Sequence, residues 1–226
     1  MSSLKLKTLS LPPTMHPSTE STSDHTTAQT KLVLATSNPG KLAEFQAVFA
    51  ETSFHFIPQS HFNIPDADET ASTFIENALL KARHAAAHSG LPALADDSGL
   101  CVKALSGAPG VYSARYAGTG KSTDNNQKLL EALGMHQDRH AYYCCTLVLV
   151  KTEHDPNPLV FQGIWQGEIL SQARGNGGFG YDPLFYLPDL QKSAAELSLE
   201  LKNKLSHRAE ALKKLLVFLK NNPYYV

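Results

Sequence analysis

The feature of this chain that most constrains its fold is the passage from an apolar run, Leu32–Ala35, through a short polar turn into an amphipathic stretch. A short apolar run is typical of a buried strand, and apolar residues three and four apart are typical of a helix with one buried face. We therefore predict a strand over 31–36 that leads directly into a helix over 39–50. The intervening turn has the sequence Thr36-Ser37-Asn38-Pro39-Gly40-Lys41.

The residues of this turn also predict a site for an anion. Asn38 can cap the helix through its side-chain oxygen, and Pro39 suits the first helical position, where a missing N–H costs nothing. Gly40 allows a ligand to approach the backbone closely, and Lys41 adds a cation to a helix N-terminus, which already favours anions. The turn is not a Walker A loop, because Ala35 stands where that motif has its first glycine and Leu42 stands where it has Ser or Thr. A plain Asn-Pro-Gly turn without a ligand is the alternative.

Strands and helices are mixed along the rest of the chain without strict alternation, and a predicted hairpin, 142–151 with 159–165, indicates antiparallel pairing. We therefore predict an α/β fold in which helices flank a mixed, twisted sheet and a cleft separates two lobes. The other predicted elements are a strand at 54–57, a polar loop at 58–71, a helix at 74–88, strands at 93–95 and 100–102 separated by a polar break at 96–99, a glycine-rich loop at 106–120, a helix at 125–133, a second glycine-rich loop at 175–180, a helical turn at 194–199 and a helix at 206–220.

Composition limits the functions that the chain can serve. Its 226 residues carry a formal net charge of -1, so there is no global basic field and a nucleic-acid polymer is not an expected partner. No apolar stretch approaches the length of a membrane span, so no membrane association is expected. Three cysteines without a C-x-x-C pair are typical of a reducing compartment, which indicates a cytoplasmic protein.

The first thirty residues differ from the remainder of the chain. They are rich in Ser, Thr, Pro and His, and apolar residues are scarce after Leu11, so they predict a disordered N-terminal extension at 1–30. One domain at 31–226 follows. Lys5 and Lys7 hint at a targeting segment, and a true start at Met15 or later is a further alternative.

Charged residues in three places are candidates for chemistry beside the predicted phosphate site. Asp96 and Asp97 follow an apolar run, and adjacent carboxylates there suit Mg²⁺, which prefers carboxylate and phosphate oxygens; a plain turn is the alternative. Glu69 precedes the helix at 74–88 and can reach a metal in the cleft. Lys81 lies on that helix, where a solvated lysine is the usual case.

Two further segments are candidates for contact with a nucleobase. The glycine-rich loop around Phe179 offers close backbone approach and an aromatic ring for stacking, and Asp182 can accept ring N–H groups. A flexible hairpin loop with packed aromatics is the alternative. After Lys202, the residues His207 and Arg208 fall in the first turn of the last predicted helix. Cations there oppose the helix dipole, which indicates an anionic or carbonyl-rich ligand nearby.

Taken in order, these motifs resemble one family, the inosine/xanthosine triphosphate pyrophosphatases of the RdgB/HAM1 type. The resemblance extends from about Lys31 to the C-terminus, and the residues before Lys31 have no counterpart in it. The chain departs from the pattern at Leu201, where an acidic residue is expected. The stretches that carry the resemblance are Leu34–Lys41, Thr73–Ala78, Ala95–Leu100, Gly107–Tyr116, Gly177–Pro183 and Ser206–Arg208.

The resemblance implies an elongated mixed α/β fold with a central nucleotide cleft, usually in a homodimer. It implies Mg²⁺-dependent hydrolysis of deaminated purine nucleoside triphosphates (ITP, dITP and XTP) to the monophosphate and pyrophosphate. Asp97 would be the general base and a metal ligand and Glu69 the second metal carboxylate, to which the residue pattern adds Asp96. Lys41 and Lys81 would hold the triphosphate. The other implied substrate contacts are Thr36, Ser37, Asn38, Pro39, Gly40 and Ser98 at the phosphates, and Phe179, Gly180, Tyr181, Asp182, Lys202, His207 and Arg208 at the base.

Two other functions stay open on the sequence alone. A septum-formation-type pyrophosphatase, which acts on modified pyrimidines or 7-methyl-GTP, is a sister class, and the loop at 177–182 and Ser206–Arg208 argue against it. A non-catalytic nucleotide sensor would use the same pocket, and the intact carboxylates and lysines argue against that function. The sequence does not explain how guanine, which also carries an oxygen at ring position six, would be excluded.

Overall fold

The computed structural model describes residues 30–49, 52, 54–222 and 225 of the chain. The strands are β1 (Thr30–Ala35), β2 (Phe54–Pro58), β3 (Ala93–Val102), β4 (His140–Val150), β5 (Leu159–Ile169), β6 (Phe185–Leu187) and β7 (Lys192–Ser193). The α-helices are α1 (Pro39–Phe49), α2 (Phe74–Ser89), α3 (Ser122–Leu133), α4 (Leu199–Leu205) and α5 (His207–Asn221).

The seven strands form one mixed sheet in the order β2-β1-β3-β4-β5-β6-β7. β1 pairs in parallel with β2 and β3, whereas every later neighbouring pair is antiparallel. β4 and β5 form the hairpin that the sequence predicts, and both strands are longer than expected. The predicted α/β class, with helices flanking a mixed sheet, is confirmed.

Helices cover both faces of the sheet around β1 and β3. The side chains of Leu32 and Leu34 join an apolar cluster with α1 and α5 on one face. Their neighbours Val33 and Ala35 join a cluster with α2 on the opposite face. Successive strand residues point to opposite faces, so a strand that is apolar at every position is buried on both. A third cluster, which includes α3, β6 and the ends of β3, β4 and β5, fills the other part of the molecule.

Local capping chemistry sets the helix ends that border the cleft. The Asn38 side-chain oxygen accepts the N–H of Gly40 at 2.9 Å, and α1 begins at Pro39, as predicted. Thr73 and Ser206 cap α2 and α5 in the same way, each by accepting an N–H three residues further on. These caps satisfy helix N–H groups from within the chain.

The polar break predicted at 96–99 is wrong, because β3 runs without interruption from Ala93 to Val102. Each of these residues has a ladder partner in β4, with Asp97 opposite Thr146. The backbone is therefore paired throughout, and the polar side chains find partners in the interior. Consequently the two adjacent carboxylates lie in a central strand and not in a turn.

Three smaller predictions also need correction. The loop predicted at 58–71 begins with a 3₁₀ turn, Gln59–Phe62. The glycine-rich segment 106–120 contains a second one, Gly110–Arg115. α3 begins at Ser122, three residues earlier than expected. Short 3₁₀ turns carry no apolar period of their own, so periodicity does not reveal them.

Some predictions fall outside the residues that the structure describes. The N-terminal extension at 1–30 lies outside them except for Thr30, and the division into 1–30 and 31–226 stays a prediction. In the described part of the chain, no helix has the length and apolar character that crossing a bilayer requires. The cysteines Cys101, Cys144 and Cys145 are all buried and free of disulfides.

Candidate active site

A cleft of about 830 Å³ opens where β1 meets α1 and is closed on its other sides by α2, β3, α4, α5 and two loops. Most of the predicted site residues line it, although they come from seven separate parts of the chain. Pro39 is exposed outside the lining, and Asp96 and Asp97 lie behind it in β3. The predicted residues that line the cleft are Thr36, Ser37, Asn38, Gly40, Lys41, Glu69, Lys81, Ser98, Phe179, Gly180, Tyr181, Asp182, Lys202, His207 and Arg208.

The strand geometry of β3 separates the two adjacent carboxylates. Successive side chains of a strand point to opposite faces. Asp96 therefore shares a face with Leu94, which packs among α1 and α5, and Asp97 shares a face with Ala95, which packs against α2. The two aspartates are both almost fully buried, at 1% and 5% exposure. They nevertheless belong to different sites.

On the α5 face, Asp96 is the centre of a closed ion-pair network. Its carboxylate contacts Lys41 Nζ and accepts from Arg208 Nε at 3.3 Å, and Arg208 also pairs with Glu44. Arg208 Nη2 donates to Ser98 Oγ at 3.2 Å. Burial alone would raise the pKa of Asp96, but Lys41 and Arg208 hold that pKa well below its ordinary value.

This network revises the prediction drawn from Arg208. A cation in the first turn of a helix indicates an anion nearby, and the anions in the structure are Asp96 and Glu44 of the chain itself. Glu44 is the only acidic residue of α1 and is buried on its apolar side, which is the sequence signal that could have identified it. Arg208 still borders the cleft, and three of its five N–H donors are accounted for by these contacts.

The network places Asp96 away from Asp97, and its role as a metal ligand stays a prediction. Its carboxylate points away from Asp97 and is neutralised by two cations. In the part of the chain that the structure describes, no group of three or more His, Cys, Asp or Glu side chains could hold a metal ion. The physical reason is the uninterrupted strand, since a turn at 96–99 would have allowed both carboxylates to face one ion.

On the α2 face, Asp97 belongs to an open arrangement with Lys81 and Glu69. Lys81 Nζ lies 2.9 Å from Asp97 Oδ1 and 2.7 Å from Glu69 Oε1, so two carboxylates from distant segments converge on one cation. Asp97 Oδ2 is buried and has no hydrogen-bond partner among the described residues. Burial raises the pKa of Asp97 above its ordinary value, because the neighbouring Lys81 offsets that effect only in part.

The pKa shifts of Glu69 and Lys81 favour the charged form of each group, whereas the shift of Asp97 does not. Burial opposes the charged form of Glu69, yet Lys81 and Arg115 lower its pKa below the ordinary value. Burial likewise opposes the charged form of Lys81, but Asp97, Asp96 and Glu69 raise its pKa. Glu69 and Lys81 are therefore charged at neutral pH, and Asp97 is the group whose ionisation costs most.

The far end of the cleft is aromatic. Lys202 Nζ donates to Asp182 Oδ2 at 2.6 Å and lies 4.4 Å from the centre of the Phe179 ring. Asp182 Oδ2 also accepts the N–H of Phe179 at 2.8 Å, so this carboxylate shapes the glycine-rich loop. His207 stacks on Tyr143 with ring centres 4.8 Å apart, and its Nδ1 has no partner among the described residues. Burial and the neighbouring Arg208 hold the pKa of His207 well below its ordinary value, so its ring is neutral.

Sequence reasoning missed several residues of the cleft. Tyr143 lies in β4 and reads as an ordinary strand aromatic, and Asp66 lies in the segment predicted as a polar loop, where Ser37 Oγ donates to its carboxylate at 2.9 Å. Arg115 lies in one of the stretches that carry the family resemblance, but that motif by itself predicts no role for Arg115. It donates to Glu69 Oε2 at 3.0 Å. Only the fold brings these residues to the cleft.

The fold and the cleft together define an α/β protein with a site for a polyanion. Five cationic side chains line the cleft, a capped helix N-terminus faces it, and an aromatic pocket lies beyond. The lining cations are Lys41, Lys81, Arg115, Lys202 and Arg208.

Comparison with known proteins identifies the family. The model of the Ham1 family matches residues 32–218, and the chain belongs to this family. A curated dITP/XTP pyrophosphatase of Nitrosomonas europaea is 53% identical over 193 residues, which cover 85% of this chain and 95% of that protein.

Solved structures agree with this assignment. The structure of a HAM1 protein from Coxiella burnetii has a TM-score of 0.82 and 50% identity, over 85% of this chain and 99% of that one. The structure of the Staphylococcus aureus Ham1 protein has a TM-score of 0.78 and 42% identity, with the same coverage. The predicted family and fold are therefore confirmed.

Proposed function

We propose that the protein hydrolyses deaminated purine nucleoside triphosphates, such as ITP, dITP and XTP, to the monophosphate and pyrophosphate. The observation that carries the proposal is the placement of a buried, partly unsatisfied carboxylate, Asp97, beside Lys81 and Glu69 at the end of the cleft near α1. Membership of the Ham1 family and 53% identity to a dITP/XTP pyrophosphatase support it.

The triphosphate occupies the end of the cleft near α1. Lys41 and Lys81 supply positive charge, the N-terminus of α1 adds the positive end of its helix dipole, and Ser98 lines the same end of the cleft. Both lysines pair with carboxylates in this structure. Phosphate oxygens therefore compete with Asp96 and Asp97 for the same ammonium groups. A lysine–phosphate contact stabilises the complex only where the lysine binds phosphate better than it binds its carboxylate partner.

The residues on the α2 face fit a divalent cation. Glu69 and Asp97 already direct carboxylate oxygens to one cationic group, and Asp97 Oδ2 has no other partner among the described residues. Oxygen ligands of this kind suit Mg²⁺, which we propose as the metal, with Glu69 and Asp97 as its protein ligands. When bound, such an ion neutralises charge on the phosphates and lowers the pKa of a bound water.

Asp97 acts as the general base. Its raised pKa makes the ionised carboxylate a better proton acceptor than that of an ordinary aspartate, and this form accepts a proton from an attacking water. Attack at the α-phosphorus breaks the bond to the β-phosphate, and pyrophosphate leaves. Lys41 and Lys81 offset the charge that develops on the transferred and leaving groups.

The base occupies the aromatic end of the cleft. Phe179 is 43% exposed there and offers a ring face, and Lys202 and His207 are placed beside it. Hypoxanthine and xanthine carry an oxygen at ring position six, which accepts hydrogen bonds, whereas adenine carries an amino donor. Donors at this position would leave the adenine amino group facing another donor, and an unmatched buried polar group costs about 1–3 kcal/mol.

The function is tested by product analysis on the purified full-length chain. ITP, XTP, dITP, GTP and ATP are incubated with Mg²⁺, and the products are separated by ion-exchange chromatography. We expect monophosphate and pyrophosphate from ITP, dITP and XTP, with little turnover of ATP. Release of orthophosphate would contradict the proposal, and saturable ITP binding without turnover would support a nucleotide sensor instead.

Two finer features also rest on the family resemblance. We propose that the protein acts as a homodimer and that it works in the cytoplasm, where its nucleotide substrates are found. Size-exclusion chromatography with light scattering tests the first feature, and a monomer at micromolar concentration would contradict it. Fractionation of cells that express the full chain tests the second.

A further inference from the structure

The carboxylate of Glu69 has no regular backbone to position it. Residues 64–71 form neither helix nor strand, yet Glu69 must face Asp97, which lies in a central strand. A side chain on an irregular segment keeps such a relation only if other groups hold it. The contacts of Glu69 therefore show what fixes the spacing of the two carboxylates.

Arg115 holds Glu69 at two points. Its Nη1 donates to Glu69 Oε2 at 3.0 Å, and its Nη2 donates to the backbone oxygen of the same residue at 3.1 Å. The guanidinium thus fixes both the side chain and the backbone of Glu69, a geometry that its planar fork allows and a lysine cannot reproduce. Because Oε2 is taken by Arg115, Oε1 is the oxygen that meets Lys81 beside Asp97.

Arg115 is in turn anchored to the strand that carries Asp97. It ends the 3₁₀ turn Gly110–Arg115, in which Ser113 Oγ accepts the N–H of Leu100 in β3 at 2.9 Å. A Cβ at Gly99, also in β3, would overlap the backbone oxygen of Gly110, so the turn and the strand are in close contact. The guanidinium also lies 5.3 Å from the centre of the Tyr112 ring. A continuous set of contacts therefore joins Glu69 to β3.

We propose that Arg115 is a positioning residue for the divalent-cation site, because it orients the Glu69 carboxylate so that Oε1 faces Asp97. The inference rests on the proposed function, since the cation site belongs to that reaction. Groups that orient metal ligands typically change metal affinity by about 10–100-fold when they are removed. Arg115 therefore acts on metal affinity through Glu69 without contacting the base-binding end of the cleft.

The test compares Arg115→Met with a matched control, Arg174→Met. Arg174 also pairs with a glutamate, at 3.1 Å from Glu196, lies 5.7 Å from the ring centre of Tyr186 and is exposed to a similar extent. It does not line the cleft. Loss of a surface arginine pair as such is therefore common to both variants, and only the link to Glu69 differs.

The primary measurement is the affinity of the nucleotide-free protein for Mn²⁺, determined by electron paramagnetic resonance. We expect Arg115→Met to weaken Mn²⁺ binding about tenfold or more, Arg174→Met to bind as the parent protein does, and Arg115→Lys to fall between them. In a Glu69→Gln background, Arg115→Met should have no further effect. Parent-like Mn²⁺ affinity in Arg115→Met, or an equal loss in the Glu69→Gln background, would overturn the proposal.

A second variant and a kinetic measurement separate loss of metal affinity from loss of folding. If Arg115→Met does not fold, as judged by circular dichroism, Arg115→Gln replaces it with the same expectation, and parent-like affinity in that variant overturns the proposal. In ITP hydrolysis, the Mg²⁺ concentration for half-maximal rate should rise about tenfold in Arg115→Met, while the ratio of ITP to ATP turnover stays as in the parent. If the parent hydrolyses no ITP, the proposed function fails, and the Mn²⁺ comparison still decides the role of Arg115.

Discussion

Asp96 and Asp97 are adjacent in β3 and have the same side chain, yet they lie on opposite faces of the sheet and have different neighbours. Asp96 forms ion pairs with both Lys41 and Arg208 in the interior, and its pKa is lowered. Asp97 shares Lys81 with Glu69, keeps one oxygen without a partner among the described residues, and has a raised pKa. The exposed fractions of the two side chains are nearly equal, so the difference in pKa comes from their neighbours: Arg208 lowers the pKa of Asp96, and Glu69 raises that of Asp97.

Strand geometry therefore separates two adjacent carboxylates, so that one stabilises the fold and the other is available for chemistry. On the α5 face, Asp96 contacts two cations, and Arg208 joins three elements because it also binds Glu44 of α1. On the α2 face, Arg115 pairs only with Glu69, and Asp97 shares its one cationic partner, Lys81, with Glu69. We propose that a metal ion and a phosphate group bind on this face, whereas the ion pairs of the other face join elements of the fold.

The largest expected effect comes from Asp97→Asn, which removes the base without changing the size of the side chain. We expect kcat for ITP to fall by about 10²–10⁴-fold, the typical contribution of general base catalysis. Pyrophosphate release under saturating ITP and Mg²⁺ measures it, with unfolding in urea as a check on structure. Near-normal turnover in a folded Asp97→Asn would remove Asp97 from the base role.

The second largest effect is on stability and comes from Asp96→Asn. Removing one partner of a buried ion pair leaves the others uncompensated, so we expect the free energy of unfolding to fall by about 3–5 kcal/mol at pH 7. The lowered pKa of Asp96 means that its stabilisation is present above the unfolded-state pKa and is lost as pH falls through the folded-state pKa.

The difference between the parent and Asp96→Asn should therefore narrow on acidification below the unfolded-state pKa. Urea unfolding across an acid pH series measures this difference. A constant difference at every pH, or no loss at pH 7, would show that the network on the α5 face does not stabilise the fold. Asp97→Asn serves as the matched control, since its carboxylate lies in the same strand and is almost as buried.

A third pair of variants tests how each face is packed. A Cβ at Gly163 in β5 would overlap the backbone oxygen of His207 at the start of α5, and one at Gly99 would overlap that of Gly110. We expect alanine at either position to lower the free energy of unfolding by about 1–3 kcal/mol, the usual cost of overpacking.

The two alanine variants should differ in metal affinity. Gly99→Ala displaces the turn that carries Arg115 and should weaken Mn²⁺ binding, whereas Gly163→Ala displaces the start of α5 and should not. Thermal unfolding and Mn²⁺ titration, run side by side, measure the two effects. Equal Mn²⁺ affinity in both variants would contradict the separation of the two faces.

The smallest effect is the pH dependence of the parent enzyme. Asp97 must be ionised to accept a proton, and its pKa is raised, so the acid limb of kcat/KM should lie above the ordinary range of aspartate. Below that limb the rate should fall about tenfold per pH unit, since the ionised fraction falls by that factor. Initial rates with ITP at low Mg²⁺ measure it. A limb at or below the ordinary aspartate pKa would contradict the assignment.

Several parts of the fold could be predicted from the sequence because local chemistry determines them. Asn38 and Pro39 mark the start of α1, Gly90 takes the left-handed conformation that ends α2, and Ser206 caps α5. The hairpin of β4 and β5 follows from two apolar runs around a turn. Each of these features depends on residues within a few positions of one another.

The candidate site could be predicted only in part. The motifs identified Glu69, Lys81 and Asp97, and the structure brings all three together. The same reasoning placed Asp96 at the metal and gave no role to Glu44 or Arg115. The roles of Glu44 and Arg115 depend on partners 164 and 46 positions away, which cannot be paired from a single sequence, whereas the position of Asp96 depends on the unbroken strand β3.

The sequence by itself determined the family, the class of fold and the identity of the chemically active residue types, because short motifs carry that information in local order. Only the tertiary structure decided which carboxylate pairs with Lys41 and Arg208 and which one meets Lys81 and Glu69. The physical reason is that an unbroken strand alternates its side chains between two faces, and the helices packed on those faces supply two cations on one side and one on the other.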